Sequence, residues 1–352
     1  MRYRLWLVVV LVTFIVAVNP AWQPTAQAQA SPLPREAFIG TLRPGTGYHS
    51  MGMGLSKVLS DKLPMRVSVR PYTGPSAWLP LMDRGRLEFG AISLNDVIWA
   101  FDGNPAFVAH RIKNVRLVAR GNWLEGVMGI IVRSDSPFNK ISDLRGKRVT
   151  SDFGPNLIAG MLVEAWLDSA GMTWDDVKKV PVTGVVPSAT ALQEGRVDGA
   201  FGAVPYSGFI QALAASVPIR ALPYADASPQ ECARIAADKA EKIIPASEVV
   251  VFARKNAPVL KGAYCSIRHP SSLVAGASVP DEVTYQVVKT IWNNLDALAP
   301  LSPWLRGWSQ KQMFWAKATV PYHPGAIRFF KEQGLWTAET EKRQQELLRK
   351  TQ

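Results

Sequence analysis

Few of the residues that build metal or redox centres are present in this sequence of 352 residues. It contains two cysteines, Cys232 and Cys265, and four histidines that lie far apart in the chain. The histidines lack the spacing of a zinc site, and two cysteines are too few for a disulfide framework. We therefore expect no metal and no cofactor, and the sequence leaves open whether the two cysteines pair.

The motifs that bind phosphates or activate nucleophiles are also incomplete. The run Gly40-x-x-x-x-Gly45 begins like a P-loop, but Thr46 stands where that loop requires lysine. Gly45-x-Gly47 lacks the third glycine of a dinucleotide fingerprint. Ser50 has no glycine two residues before it, as a nucleophile elbow would. The sequence thus predicts no enzyme, although catalytic groups that meet only in space would leave no such motif.

Charge is plentiful, but it is not concentrated anywhere. Lysine and arginine number 40 against 28 acidic residues, a net charge of +12. The basic residues form no arginine-rich arm and no basic-aromatic ladder, so nucleic acid is not an expected partner. A scattered basic surface fits small acidic ligands better.

The long apolar run of the sequence lies at its beginning. Arg2 and Arg4 precede the apolar residues 5–18, and residues 26–30 offer small-x-small cleavage sites. This pattern is typical of a cleavable secretory signal peptide, and we assign it to residues 1–30. The run is short for a membrane span, although an uncleaved anchor remains the alternative. We therefore expect a periplasmic protein.

A glycine-rich stretch at residues 39–50 separates a predicted strand from a predicted helix. Apolar residues 37–39 precede it, and Met51, Leu55 and Val58 mark one face of the helix that follows. Such a loop directs backbone N–H groups at one point, in front of a helix end that carries roughly half a positive charge. The order predicts a site for a small anion, most simply a carboxylate, although an ordinary turn has the same form.

A second copy of this unit follows further along the chain. Thr73-Gly74 corresponds to Thr183-Gly184, and Gly85-Arg86 to Gly195-Arg196, both at an offset of 110 residues. Alternating strands and helices predict an α/β fold with two lobes and a mostly parallel sheet in each. Ligands of such sheets bind beyond the carboxyl ends of the strands, so we expect a central cleft.

The boundaries of the lobes follow from the runs that leave and re-enter the first copy. We expect residues 35–128 and 265–352 to form lobe one and residues 129–264 to form lobe two. The C-terminal part concentrates Trp292, Trp304, Trp308, Trp315 and Trp336. We interpret these tryptophans as a packed helical cap rather than a surface on which a ligand stacks.

Candidate ligand-binding residues stand in the loops at the predicted strand ends. They are Thr41, Thr46, Tyr48, Thr73, Ser76 and Asn95 in lobe one, and Asp152, Phe153, Pro155, Asn156 and Pro205 in lobe two. Their hydroxyl and amide groups could bind a carboxylate, or could satisfy the backbone of their own turns. Asp152 would suit a ligand ammonium group or a helix cap. Arg43 could pair with a carboxylate, although such an arginine is more often solvated.

The order and spacing of several motifs resemble the TAXI-type solute receptors of TRAP transporters. These motifs are Gly40-Thr41, Gly45-Thr46-x-Tyr48, Gly52-x-x-Leu55, Val69-x-Pro71-x-Thr73-Gly74-x-Ser76, Gly85-x-x-Glu88-x-Gly90, Ile141-x-Asp143-Leu144-x-Gly146-Lys147-Arg148-Val149 and Tyr322-His323-Pro324-Gly325-Ala326. The resemblance implies the type II periplasmic-binding fold. It also implies a receptor that captures a small organic anion, such as an amino acid or a carboxylate, for a membrane permease driven by an ion gradient.

The sequence departs from that family's pattern at the predicted cleft. Leu42-Arg43-Pro44 stands where the family has a second glycine and small residues, and Pro75 replaces another glycine. The loop at 151–156 lacks the usual Gly-Ser-Gly-Thr run. The sequence therefore leaves the identity of the ligand open. We also expect the protein to be a monomer. A sensory ligand-binding subunit, a periplasmic enzyme and an ABC-type receptor on the same fold are the alternatives.

Overall fold

Sheets flanked by helices make up the computed structural model, which describes residues 33–104, 110–235, 241, 244–253 and 262–351. Residues 33–352 form one compact unit. The predicted signal peptide, residues 1–30, lies outside the described residues. No helix within the described ranges is long and apolar enough to cross a membrane.

The described strands and helices alternate through most of the chain. In chain order the strands are β1 (Glu36–Leu42), β2 (Arg66–Tyr72), β3 (Phe89–Ser93), β4 (Val115–Val127), β5 (Gly129–Arg133), β6 (Arg148–Ser151), β7 (Lys178–Pro181), β8 (Ala200–Gly202), β9 (Ile219–Ala221), β10 (Glu248–Phe252) and β11 (Tyr264–Gly276). The helices are α1 (Gly47–Lys62), α2 (Pro75–Asp83), α3 (Leu94–Asp102), α4 (Leu157–Ser169), α5 (Val185–Gln193), α6 (Gly208–Ser216), α7 (Pro229–Cys232), α8 (Asp281–Asn293), α9 (Leu295–Leu298), α10 (Gln310–Met313), α11 (Pro324–Glu332) and α12 (Ala338–Arg349).

Lobe one is built on a six-stranded sheet. Its strand order is β10-β11-β3-β1-β2, and β4 also pairs with β11. Strand β1 runs parallel to β2 and β3, whereas β11 runs antiparallel to β3, β4 and β10. The expectation of a mostly parallel sheet is therefore wrong for the outer half of this sheet. The reason is that the chain leaves lobe one along β4 and returns along β11 in the opposite direction.

Lobe two repeats this mixture of strand directions. Strand β5 is antiparallel to both β8 and β9, and β6 is parallel to β7. A parallel bridge between Val149 and Gly199 joins the β6–β7 pair to the β8 side. The two-lobed α/β fold predicted from the sequence is present. The sheet of lobe one is mixed, whereas lobe two has an antiparallel three-stranded sheet beside a parallel pair of strands.

The repeat inferred from the sequence is visible in the helices. Helices α1 and α4 begin at Gly47 and Leu157, and helices α2 and α5 begin at Pro75 and Val185. Both pairs keep the offset of 110 residues. The two copies therefore place the same helix N-termini at the same edge of their sheets, which positions the site described below.

One strand lies on the other side of the expected boundary. Strand β10 falls within residues 129–264, which we assigned to lobe two, yet it pairs with β11 in the six-stranded sheet of lobe one. A disulfide between Cys232 and Cys265 connects the end of α7 to β11 nearby. The segment before β11 therefore belongs to the crossing between the lobes rather than to lobe two alone.

Local sequence explains how α1 begins and ends. Its buried residues include Met51, Leu55 and Leu59, which recur at helical spacing and pack against the sheet. Burying each such side chain contributes about 1.5–3 kcal/mol. The helix ends at Lys62 because Pro64 follows, and Leu63 before that proline is extended.

Candidate ligand-binding cleft

A cavity of about 60 Å³ lies between the two lobes. Its lining is chiefly apolar and consists of Leu42, Thr46, Gly47, Tyr48, Val127, Asn156, Ile158, Leu162, Val185, Phe201, Ala203, Val204, Ser207, Phe209, His269 and Trp304. One water needs about 10–15 Å³ of such volume, so this arrangement has room for a few waters or a very small solute. A groove lined in part by Arg43 and Thr73 adjoins the cavity.

The N-termini of four helices meet at this cavity. Thr46, Asn156 and Ser207 are the N-caps of α1, α4 and α6, and Val185 is the first residue of α5. All four residues line the cavity. Each helix end carries roughly half a positive charge and N–H groups without intrahelical acceptors. No lysine or arginine is among the described residues that line it.

Four polar atoms of lining residues are buried without a hydrogen-bond partner. They are the Tyr48 hydroxyl, Asn156 Oδ1, Ser207 Oγ and Trp304 Nε1. A buried polar atom left unsatisfied costs about 1–3 kcal/mol, so such atoms are rare outside functional sites. Three of these groups can donate a hydrogen bond and Asn156 Oδ1 can accept one. The cavity therefore presents a binding requirement that the protein itself does not meet.

The loop before α4 has an unusual backbone. Asp152 and Phe153 have φ values of 66° and 39°, in the left-handed region that non-glycine residues avoid. Phe153 is fully buried and packs edge-on against Phe201, with ring centroids 5.8 Å apart. Burial of this ring offsets the backbone cost and fixes the turn. This loop geometry places Asn156 at the cavity.

Burial shifts the pKa values of three titratable groups at or near the lobe-one wall toward their neutral forms. Burial raises the pKa of Asp96, and burial followed by the charge of Asp96 raises the pKa of Tyr48. Burial lowers the pKa of His269 to about 4. Ser93 Oγ donates to Asn95 Oδ1 over 2.6 Å and lies 3.2 Å from His269 Nδ1. All three pKa shifts disfavour the charged form of the group concerned.

Direct contacts join the two lobes around the cavity. Ser76 Oγ donates to the Pro155 carbonyl over 2.8 Å, and the Phe209 N–H donates to the Gly45 carbonyl over 3.3 Å. A Cβ on Gly74 would lie 2.0 Å from the Pro155 carbonyl oxygen, so only glycine permits this approach. The structure therefore describes a closed arrangement of the lobes.

The structure brings a minority of the predicted site residues to the cavity itself. Thr46, Tyr48 and Asn156 line it, and Thr73 lines the adjoining groove. Ser76 and Pro155 form the contact between the lobes. These six residues come from both copies of the repeat and lie around one cleft.

The other predicted residues do not line the cavity. Four of them are buried elsewhere, and one is exposed. Thr41 is buried and donates to the Leu42 carbonyl. Asn95 is buried and donates to the Pro245 carbonyl. Phe153 and Pro205 are buried without being among the lining residues, and Asp152 is exposed. For these five residues, the reason is that strand ends supply turn and core positions as well as site positions.

Sequence reasoning missed Ser207, His269 and Trp304. Ser207 precedes a helical pattern, which is the sequence signal of an N-cap. The prediction named Pro205, two residues earlier, instead. Trp304 is buried as expected of a packed cap, yet it also lines the cavity. Its ring contacts Tyr48 and Tyr206 at centroid distances of 4.9 and 5.8 Å. His269 carries no local motif.

Comparison with known proteins gives one family and several solved structures. The model of the NMT1-like family matches residues 39–334. The aliphatic sulphonate binding protein SsuA from Escherichia coli is 16% identical, with 90% of this chain and 91% of that chain covered and a TM-score of 0.46. SsuA from Xanthomonas axonopodis pv. citri bound to MOPS is 14% identical, with 90% and 85% covered and a TM-score of 0.45. The substrate binding protein of an amino acid ABC transporter is 15% identical, with 79% and 100% covered and a TM-score of 0.42.

Proposed function

We propose that this chain, which belongs to the NMT1-like family, is a periplasmic receptor that binds a small organic anion between its lobes. The ligand is an amino acid or another small carboxylate. The receptor delivers it unchanged to the membrane subunits of a TRAP-type permease and acts as a monomer.

The observation that carries this proposal is the convergence of four helix N-termini on one cavity. Anions bind at helix N-termini because free N–H groups and the helix dipole both favour negative charge. The cavity residues Tyr48 and Ser207 add hydroxyl donors that have no hydrogen-bond partner among the residues that the structure describes. A carboxylate could accept from these groups without a lysine or arginine, while its apolar part packs against residues such as Leu162 and Phe201.

Closure of the lobes follows from where these groups lie. Tyr48 belongs to lobe one, whereas Asn156 and Ser207 belong to lobe two. A ligand can reach all three only when the lobes are closed, so binding stabilises the closed state by its differential contacts. The Ser76–Pro155 hydrogen bond is formed in that same state.

Delivery to a TRAP-type permease is supported by the order of the sequence motifs from Gly40 to Ala326. The signal-like residues 1–30 support a periplasmic location. A receptor needs no catalytic group, and the ligand should therefore leave the protein chemically unchanged.

The first test is to identify what the protein binds. Mass spectrometry of small molecules released from the purified protein should find a carboxylate, and isothermal titration should give one site per chain. If an uncharged amide analogue bound as tightly as the acid, the proposal of an anionic ligand would be wrong. Disappearance of the acid over time would instead indicate an enzyme. Uptake into vesicles that requires ATP and not an ion gradient would contradict the TRAP-type permease.

A further inference from the structure

One largely buried arginine of this protein forms no hydrogen bond or ion pair with the described residues. Arg120 on β4 is 9% exposed, and its Cζ lies 4.4 Å from the ring centroid of Trp123. No hydrogen bond or ion pair of Arg120 is found in the described part of the chain. A charge removed from water without a partner is costly, so buried charges are normally paired.

A second arginine on the same ring shows the usual arrangement. The Cζ of Arg268 lies 4.6 Å from the Trp123 ring. Its guanidinium forms ion pairs with Glu125 at 3.1 Å and with Glu248 at 2.6 Å. Arg268 is thus neutralised by two carboxylates, although its side chain is more exposed than that of Arg120. Arg120, in contrast, forms no direct ion pair among the described residues, although the charge of Glu248 raises its pKa against the effect of burial.

Arg120 lines a cavity of about 620 Å³ beside Trp123, separate from the cleft. Thr319 also lines this cavity, and its Oγ1 is buried without a hydrogen-bond partner. Arg343 Nε donates to the Ala318 carbonyl at the same wall, and Lys317 is exposed at the edge. On strand β11 the neighbouring residues His269 and Pro270 line the cleft and this cavity, respectively.

We propose that this cavity is a second binding site, which takes a small oxyanion such as a phosphate or carboxylate group on Arg120 and Thr319. Guanidinium donors form a planar fork that fits two oxygens of such an anion, and the Thr319 hydroxyl supplies a further donor. Three acidic residues line the cavity, but none forms an ion pair with Arg120 in the described part of the chain. Asp102 and Glu241 are exposed at the rim, and Glu248 forms an ion pair with Arg268. The site does not depend on the cleft.

Inorganic phosphate and acetate are the probes for this site. In protein labelled with 5-fluorotryptophan, the Trp123 resonance, assigned with Trp123→Phe, should shift on addition of either anion. Chloride at equal ionic strength should not produce that shift. The Arg120→Met variant keeps packing on Trp123 but should weaken phosphate binding at least tenfold.

Variants separate this site from the cleft and from general charge effects. Thr319→Val should weaken phosphate binding several-fold, whereas Arg306→Met, which removes an exposed positive charge, should change it less than twofold. Asn156→Ala, a cleft variant, should leave it unchanged. If Arg120→Met does not fold, Arg120→Lys keeps the charge without the fork and should still weaken binding. A shift that chloride reproduces, or that persists in the Arg120 and Thr319 variants, would overturn the proposal.

Discussion

The loops that precede α1 and α4 occupy corresponding places in the two copies of the repeat, but they are built differently. In lobe one, Thr46 Oγ1 donates to the Arg43 carbonyl over 2.7 Å and accepts from the His49 N–H at 3.4 Å. In lobe two, the cap residue Asn156 makes no side-chain cap bond. The lobe-one loop has glycine, Gly45, at its left-handed position with φ 87°. The lobe-two loop has Gly154 at φ 55°, but it also holds the non-glycine residues Asp152 and Phe153 at positive φ.

The difference indicates that the two loops have different roles. The lobe-one loop satisfies its own polar groups and forms without strain, as a structural turn does. The lobe-two loop carries backbone strain and leaves Asn156 Oδ1 unpaired among the described residues. Ser207 Oγ, at the N-cap of α6, is unpaired in the same way. Strain and unsatisfied groups of this kind persist where binding uses them. The lobe-two loop should therefore supply more of the ligand's affinity than the lobe-one loop.

The largest expected effect comes from preventing the two loops from meeting. Gly74→Ala places a Cβ 2.0 Å from the Pro155 carbonyl oxygen. Overpacking at a rigid contact costs about 1–3 kcal/mol, so we expect ligand affinity to fall roughly 100-fold. The melting temperature without ligand should change little, because the lobes can open.

Gly160→Ala is the matched control for that experiment. Its Cβ would meet Phe153 at an ordinary 3.6 Å, and affinity should be kept. Titration calorimetry measures the ligand affinity of both variants. Equal affinities of Gly74→Ala and Gly160→Ala would show that ligand binding does not require the two loops to meet.

The titration of His269 tests the neutral character of the lobe-one wall. Its pKa is about 4 in the folded protein and about 6.5 when unfolded. The unfolded chain therefore binds more protons between these values, and the free energy of unfolding falls as the pH is lowered through this window. From pH 7 to pH 5, His269 should remove about 2 kcal/mol of stability.

Urea unfolding of the wild type and of His269→Asn at both pH values measures that contribution. Asp96 acts in the opposite direction, since its raised pKa favours the folded state at lower pH, but it is present in both proteins. An equal loss of stability in the two proteins would show that His269 is not held neutral in this wall.

Removing the free caps of lobe two should weaken binding without weakening the fold. Asn156→Ala and Ser207→Ala should each lower ligand affinity roughly tenfold, about 1.4 kcal/mol. The free energy of unfolding should stay the same or rise, because each change removes a buried atom that has no partner.

A remote residue provides the control for the cap variants. Thr284 is buried in α8, and its Oγ1 also lacks a partner. Thr284→Val should leave affinity unchanged. If Asn156→Ala and Ser207→Ala lowered the melting temperature while affinity was kept, their unpaired atoms would not be reserved for a ligand.

The smallest expected effect concerns the bonded cap of lobe one. Thr46→Ala removes a cap interaction and should lower the free energy of unfolding by about 1 kcal/mol. Its effect on affinity should be smaller than that of Asn156→Ala. Thr46→Ser keeps the hydroxyl and should retain stability. A loss of affinity in Thr46→Ala as large as in Asn156→Ala would remove the distinction between the walls.

The parts of this structure that depend on local pattern could be predicted from the sequence. The order of strand, loop and helix could be predicted in both copies, and so could the placement of Thr46 and Asn156 at a shared cleft. Helix α1 nevertheless begins at Gly47, inside the stretch 39–50 that we predicted as a loop. The mixed sheets could not be predicted, because the direction of β11 depends on where a distant strand returns. The same holds for β10, which periodicity alone assigns to neither sheet.

The site residues that were missed are set by tertiary packing. His269 and Trp304 reach the cavity from a crossing strand and from the C-terminal region, and neither lies in the repeat. Asp152, in contrast, has the chemistry of a ligand contact but is exposed. Residue type and strand-end position therefore identify loops that reach this cavity, whereas the position of each side chain depends on the fold of the whole chain.

The placement of Trp304 has a practical consequence. Its indole contacts Tyr48 from one lobe and Tyr206 from the other. If the lobes part, the ring loses one aromatic neighbour and gains water, which changes its fluorescence. The unlabelled protein thus carries an optical reporter of its own motion, and comparison with Trp304→Phe would isolate that emission from the other tryptophans.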